Sequence, residues 1–105
     1  MSAYSRYKFI KKFNRRSLIL IKSKNKYVSY ERDIKLLRYV KFNMEYNYCN
    51  LAYLDKFEID YLVLDNLDVI VDKHYDVNNY MKYLKLYYLS NIINERGNNL
   101  RNKVS

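Results

Sequence analysis

The chain has 105 residues, half of them apolar, which suits one domain with a modest hydrophobic core and excludes a disordered chain. It has one cysteine, Cys49, so no internal disulfide can form and a reducing, cytoplasmic location is expected. No apolar run approaches the roughly 20 residues of a membrane span, and the charged N-terminus lacks the apolar core of a secretion signal. Neither a membrane partner nor export is expected.

The charge is concentrated in the first half of the chain. Residues 1–43 carry thirteen Lys and Arg against two acidic residues, a net of +11, whereas residues 44–94 carry four against eight, a net of −4. A basic half on a small domain is typical of a protein with an anionic partner, most often nucleic acid. The alternative is a basic surface that is merely solvated.

The first predicted element is an amphipathic helix over residues 3–13. Tyr4, Tyr7, Ile10 and Phe13 recur at about three-residue steps and predict an apolar face. Basic residues fall mostly elsewhere on the helix or directly after it: Lys8, Lys11, Lys12, Arg15 and Arg16. They either dock on phosphates or stay in water while the apolar face covers a sheet.

A β-hairpin that leads into a helix is predicted for residues 17–33. The continuous apolar run Leu18–Ile21 favours a strand covered on both faces. Residues 22–25 form the predicted turn, with Asn25 in the left-handed conformation, and β-favouring residues resume at Tyr27. Ser29 is the expected N-cap of the next helix.

The second half of the chain predicts a third strand over residues 39–42, a helix over 47–57 and a hairpin over 60–72 with its turn at Asp65-Asn66. The last helix is expected to begin at the N-cap Asn78 and to end before Gly97. This gives one domain over residues 1–97 and a frayed tail over 98–105. Segments that begin at Leu37 and Ile59 resemble one at Met81 with a 22-residue period, which we attribute to coincidence rather than to leucine-rich repeats.

This order of elements predicts an α/β domain with a small mixed sheet covered by helices. Positions at strand centres and on apolar helix stripes should be mostly buried. They are Leu18, Leu20, Val28, Leu37, Leu62, Leu64, Val69 and Leu84.

These features together resemble the N-terminal mismatch-recognition domain of the DNA mismatch repair protein MutS. Tyr7 on the first helix and Tyr27 twenty residues later match tyrosines of that family, and Leu18–Lys22 resembles its first strand. Asp33 matches an aspartate at a helix start, and residues 54–64 resemble a later helix and strand. The resemblance covers about residues 4–71 and implies a similar fold and an association with DNA.

The sequence departs from that family at the positions that read a mismatch. Lys26 and Val28 stand where the family has its wedging phenylalanine and its glutamate, and Lys24 replaces a turn glycine. The chain thus resembles short stand-alone relatives of that domain in AT-rich bacteria and their mobile elements. Weak DNA binding without mismatch selectivity is the expectation.

An enzymatic function would have to use His74, the only histidine, with Asp72 and Asp76 as a one-histidine, two-carboxylate metal site. The end of a strand is polar in most proteins, so we do not expect a metal there. Cys49 is expected to be a buried apolar filler. No glycine-rich phosphate loop or G-x-S-x-G motif is present. We therefore expect no catalysis, no cofactor and no small-molecule substrate.

The favoured hypothesis is a non-catalytic nucleic-acid-binding module. Its phosphate contacts would be the basic residues of the first helix together with Lys22, Lys24 and Lys26 of the hairpin, while Tyr27 or Tyr30 stacks on a base. The alternative is a protein-interaction domain in which the acidic half and exposed tyrosines meet a partner.

Overall fold

The computed structural model describes residues 2–104, with side chains described for residues 2–93. In chain order the elements are α1 (Ala3–Lys11), β1 (Leu18–Ser23), β2 (Lys26–Val28), α2 (Glu31–Tyr39), α3 (Tyr48–Asp55), β3 (Tyr61–Asp65), β4 (Asp68–Lys73) and α4 (Tyr80–Val104). The strands form one sheet in the order β2-β1-β3-β4, with β1 and β3 parallel and both outer pairs antiparallel. The predicted α/β class and mixed sheet are confirmed.

The apolar run of β1 is buried on both faces, as predicted. Ile19 and Ile21 pack with Tyr7 of α1 on one face of the sheet. Leu18 and Leu20 lie on the other face, in the larger core to which α2, α3 and α4 contribute. Helix α1, together with Tyr30 just before α2, therefore covers this face, and the outer side of α1 is exposed to solvent.

Both hairpins have two-residue turns that begin with a residue in the left-handed region. In the first hairpin this residue is Lys24 (φ 55°) rather than the predicted Asn25, and Lys22 belongs to β1 rather than to the turn. In the second hairpin it is Asn66 (φ 57°), so the turn is Asn66-Leu67, one residue later than predicted. Only glycine adopts this conformation without cost, and the chain has one glycine.

The predicted third strand at residues 39–42 is wrong, because this segment ends α2. Lys41 is in the left-handed conformation (φ 58°), and the N–H of Phe42 donates to the carbonyl of Leu37 (2.9 Å). The N–H of Lys41 also donates to the carbonyl of Arg38 (3.1 Å). These two bonds form a Schellman motif with lysine where glycine is usual.

Two helix starts differ from the prediction in detail. Ser29 does not cap α2, since its hydroxyl donates to the carbonyl of Ile19 (2.8 Å) and thereby ties β2 to β1. Asn78 does serve the start of α4, because its side-chain oxygen accepts from the N–H of Tyr80 (3.1 Å). The helix then continues past Gly97 to Val104, so the predicted end at Gly97 is wrong.

The burial predictions hold for six of the eight residues named. Val69 is wrong, with 49% of its surface exposed, because β4 is an edge strand, and Val28 is only partly buried. The 22-residue similarity has no structural counterpart, since its copies fall at the end of α2, in β3 and within α4.

Candidate nucleic-acid interface

A groove of about 520 Å³ lies between α1 and the start of α2, on the basic side of the molecule. Its lining contains Tyr7, one carboxylate and five cations: Glu31, then Lys8, Lys11, Lys12, Arg15 and Arg32. Such a cluster of cations favours a polyanion with several negative groups.

The fold fixes the orientation of α1 at both ends. Ser2 caps its N-terminus by accepting from the N–H of Ser5 (3.1 Å). Tyr7 is buried against the sheet, and Asn14 closes the helix by donating to the carbonyl of Ile10 (2.9 Å). Lys8 and Lys12, one turn apart, therefore point away from the sheet and are exposed.

Four basic residues in α1 or in the segment directly after it are exposed and have no carboxylate partner within salt-bridge distance among the described side chains. They are Lys8, Lys12, Arg15 and Arg16. We call this set the α1 cations. Arg32 at the edge of the groove is less available, because it donates to the carbonyl of Arg15 (2.6 Å) and lies over the ring of Tyr80.

Lys11 differs from the α1 cations, although the sequence placed it with them. Its ammonium lies 2.8 Å from a carboxylate oxygen of Asp33, which is fully buried, and also donates to the carbonyl of Ser17 (2.6 Å). The other Asp33 oxygen accepts from the Tyr7 hydroxyl (3.0 Å), and Tyr80 donates to the same oxygen as Lys11 (2.5 Å). Lys11 is therefore an internal ion-pair partner and not a free phosphate contact.

This buried cluster shifts the pKa values of its members. Burial lowers the pKa of Lys11, and the nearby Asp33 carboxylate opposes that shift. Burial, followed by the charge of Asp33, raises the pKa of both Tyr7 and Tyr80. At neutral pH the two hydroxyls are thus protonated donors to Asp33, which joins α1, α2 and α4 through a single carboxylate.

The hairpin lysines do not form one group with the α1 cations. Arg16 precedes β1 and Lys24 follows it, and a six-residue strand is about 20 Å long. Lys24 and Lys26 line a separate hollow of about 340 Å³ at the turn. Lys22 instead lies over the ring of Tyr46 and 3.9 Å from Asp65.

Tyr27 cannot stack on a base in this fold. Only 3% of its surface is exposed, and its ring packs against Phe42 and Tyr46. Three other aromatic residues near the cations are exposed: Tyr4, whose ring lies under the Lys8 ammonium, and Phe9 and Phe13, with 51% and 76% of their surfaces exposed. The exposure of Phe13 was not predicted, because its spacing placed it on the apolar face of α1, which in the structure consists of Ala3, Tyr7 and Ile10.

His74 forms hydrogen bonds with two aspartates, of which the sequence had named one, Asp72. Its Nε2 lies 2.6 Å from Asp72, a direct hydrogen-bonding contact with no space for a metal ion, and its Nδ1 lies 3.2 Å from Asp60 rather than from Asp76. Hydrogen bonding to Asp60, then the charge of Asp72, raises the pKa of His74. Among the residues that the structure describes, no group of three or more His, Cys, Asp or Glu could hold a metal ion.

Cys49 is exposed, so the expectation that it is a buried apolar filler is wrong.

No family model, no curated protein and no solved structure matches this chain. Among the described helices, none has the length and apolar character needed to cross a membrane.

Proposed function

We propose that this protein is a non-catalytic module that binds DNA weakly, through the phosphate backbone and without mismatch selectivity. The observation that carries the proposal is the set of α1 cations: four exposed basic side chains, three of which line one groove, with no carboxylate partner among the described residues. Cations of this kind contact phosphates and carry little sequence information. The likeness to a mismatch-recognition domain is part of the proposal and rests on the sequence alone.

Two features support the absence of mismatch selectivity. Lys26 and Val28 occupy the positions at which the resembling family reads a mispaired base, and neither side chain can reproduce that contact. Val28 is also partly buried in β2. Binding should therefore depend on the charge of the nucleic acid and not on how its bases are paired within a duplex.

The test compares two variants of equal net charge. One replaces the α1 cations with alanine: Lys8, Lys12, Arg15 and Arg16. The control replaces the four lysines of residues 44–94, all of them exposed: Lys56, Lys73, Lys82 and Lys85. Affinity for a labelled duplex is measured by fluorescence anisotropy between about 50 and 200 mM salt.

We expect the α1 variant to lose binding and to flatten the log–log salt dependence by about 0.9 for each phosphate contact removed. The control variant should keep most of the salt slope. Equal losses in both variants would mean that net charge alone drives binding and would contradict a defined interface.

A protein-interaction module is the second candidate. Beyond Leu84, helix α4 carries apolar residues with 38–60% of their surfaces exposed: Leu86, Leu89, Ile92 and Ile93. An unpacked apolar helix surface is typical of a protein contact. A purified protein that binds no DNA at low salt would favour this candidate.

A further inference from the structure

Phe9 on α1 and Phe13, two residues after the helix ends, form an exposed aromatic pair. Their ring centroids are 6.0 Å apart with an interplanar angle of 72°, an edge-to-face arrangement. Half or more of each side chain's surface is exposed, and neither belongs to the two buried core clusters. Packing in the hydrophobic core therefore does not explain why two large apolar rings lie at these positions.

Two of the α1 cations, Lys8 and Lys12, are neighbours of this pair in the chain. At 100° per residue, Lys8 and the C-cap Lys12 fall on the helix surface between Phe9 on one side and the groove on the other, and Phe13 contacts the ring of Phe9. A helix with its side chains is only about 10–12 Å across. One extended chain with phosphates along one edge and bases along the other could therefore contact both rows.

We propose that α1 binds single-stranded nucleic acid, with backbone phosphates at Lys8 and Lys12 and with unpaired bases stacked on Phe9 and Phe13. This inference rests on the proposed function and names the form of nucleic acid that it takes. Stacking requires an accessible base face, and in a duplex those faces are covered by neighbouring base pairs. Aromatic side chains beside a positively charged groove are the combination that single-strand binders use.

The test measures anisotropy with labelled oligothymidine of about 15 nucleotides and with a duplex of the same length. The key variant is Phe9→Ala/Phe13→Ala, and Phe9→Tyr/Phe13→Tyr retains the rings. The matched control, Leu67→Ala/Val77→Ala, removes two exposed apolar side chains elsewhere. Far-UV circular dichroism checks that each variant is folded.

We expect the parent to prefer oligothymidine, and the alanine variant to lose about tenfold or more of that affinity with little change for duplex. The tyrosine variant and the control should bind as the parent does. Unchanged single-strand binding by the alanine variant would overturn the inference and leave the proposed function standing, whereas no binding to either nucleic acid would overturn both. Another outcome is a parent that binds phosphatidylserine vesicles and shows no preference for oligothymidine over duplex. If the alanine variant then lost vesicle binding, the rings would be assigned to a membrane surface and the inference would be overturned.

Discussion

Asp33 is the side chain whose loss should most affect the fold around the interface. Its buried carboxylate accepts from Lys11 (2.8 Å), the Tyr7 hydroxyl (3.0 Å), the Tyr80 hydroxyl (2.5 Å) and the backbone N–H of Ile19 (3.2 Å). Asp33→Ala would leave the ammonium of Lys11, whose side chain is 13% exposed, without its counter-charge. It would also remove one acceptor from each of the other three donors.

The expected cost is about 3–5 kcal/mol, the range for removing one partner of a buried ion pair. This is a large part of the roughly 5–15 kcal/mol by which a domain of this size is stable. With a urea m-value of about 1.5 kcal/mol/M, the unfolding midpoint should fall by about 2–3 M. Far-UV circular dichroism at neutral pH measures this midpoint.

Glu31→Ala is the matched control, because this carboxylate is exposed and accepts only from the Tyr4 hydroxyl among the described contacts. It should change the free energy of unfolding by about 1 kcal/mol or less. If Asp33→Ala cost no more than Glu31→Ala, Asp33 would not anchor the cluster. The assignment of Lys11 to the interior, rather than to the DNA-binding surface, would then be wrong.

Three further predictions concern backbone strain, pH and specificity. Lys41→Gly should stabilise the fold by about 1 kcal/mol, because glycine adopts the left-handed conformation freely. Lys35→Gly within α2 should destabilise it by a similar amount. Urea titrations in which both variants change the free energy of unfolding in the same direction would refute this prediction. Stability should fall as the pH rises above 10, the ordinary tyrosine pKa. Burial raises the pKa of Tyr7 and Tyr80 and raises that of Tyr61 to about 12, so the unfolded chain loses these protons before the folded chain does. A urea midpoint that stays constant between about pH 9 and 11 would contradict this prediction. Perfect and mismatched duplexes should bind with similar affinity, and a mismatch preference of about tenfold or more would show that stacking or polar base contacts persist.

The sequence predicted the sheet because its strands carry a strong local signal. The run Leu18–Ile21 is apolar at every position, and both of its faces are buried in the structure. The end of α2 was missed because Lys41 stands where glycine usually marks a helix end, and the β-favouring residues around it then suggested a strand. Val69 was predicted to be buried because the β-rich sequence of β4 does not reveal that this strand lies at the edge of the sheet.

The sequence predicted the basic character of the candidate interface but not which side chains are exposed there. The sequence identified the basic first helix, and Lys8 and Lys12 are exposed there. It could not separate Lys11 from them, because the partner of Lys11 is 22 residues away in the chain. The exposure of Phe9 depends in the same way on tertiary contacts, since the side of α1 that meets the sheet is set by the packing of Tyr7.

The most direct test of the account is a map of the nucleic-acid contact surface by amide chemical-shift perturbation during titration with oligothymidine. If α1 binds nucleic acid, the largest shifts will fall in residues 5–16 and at Glu31 and Arg32, several of which line the groove. The hairpin turn at Lys24 should shift less, because it lies at the far end of β1. Shifts confined to the hairpin turn or to α4, with α1 unperturbed, would contradict the central claim that α1 binds nucleic acid.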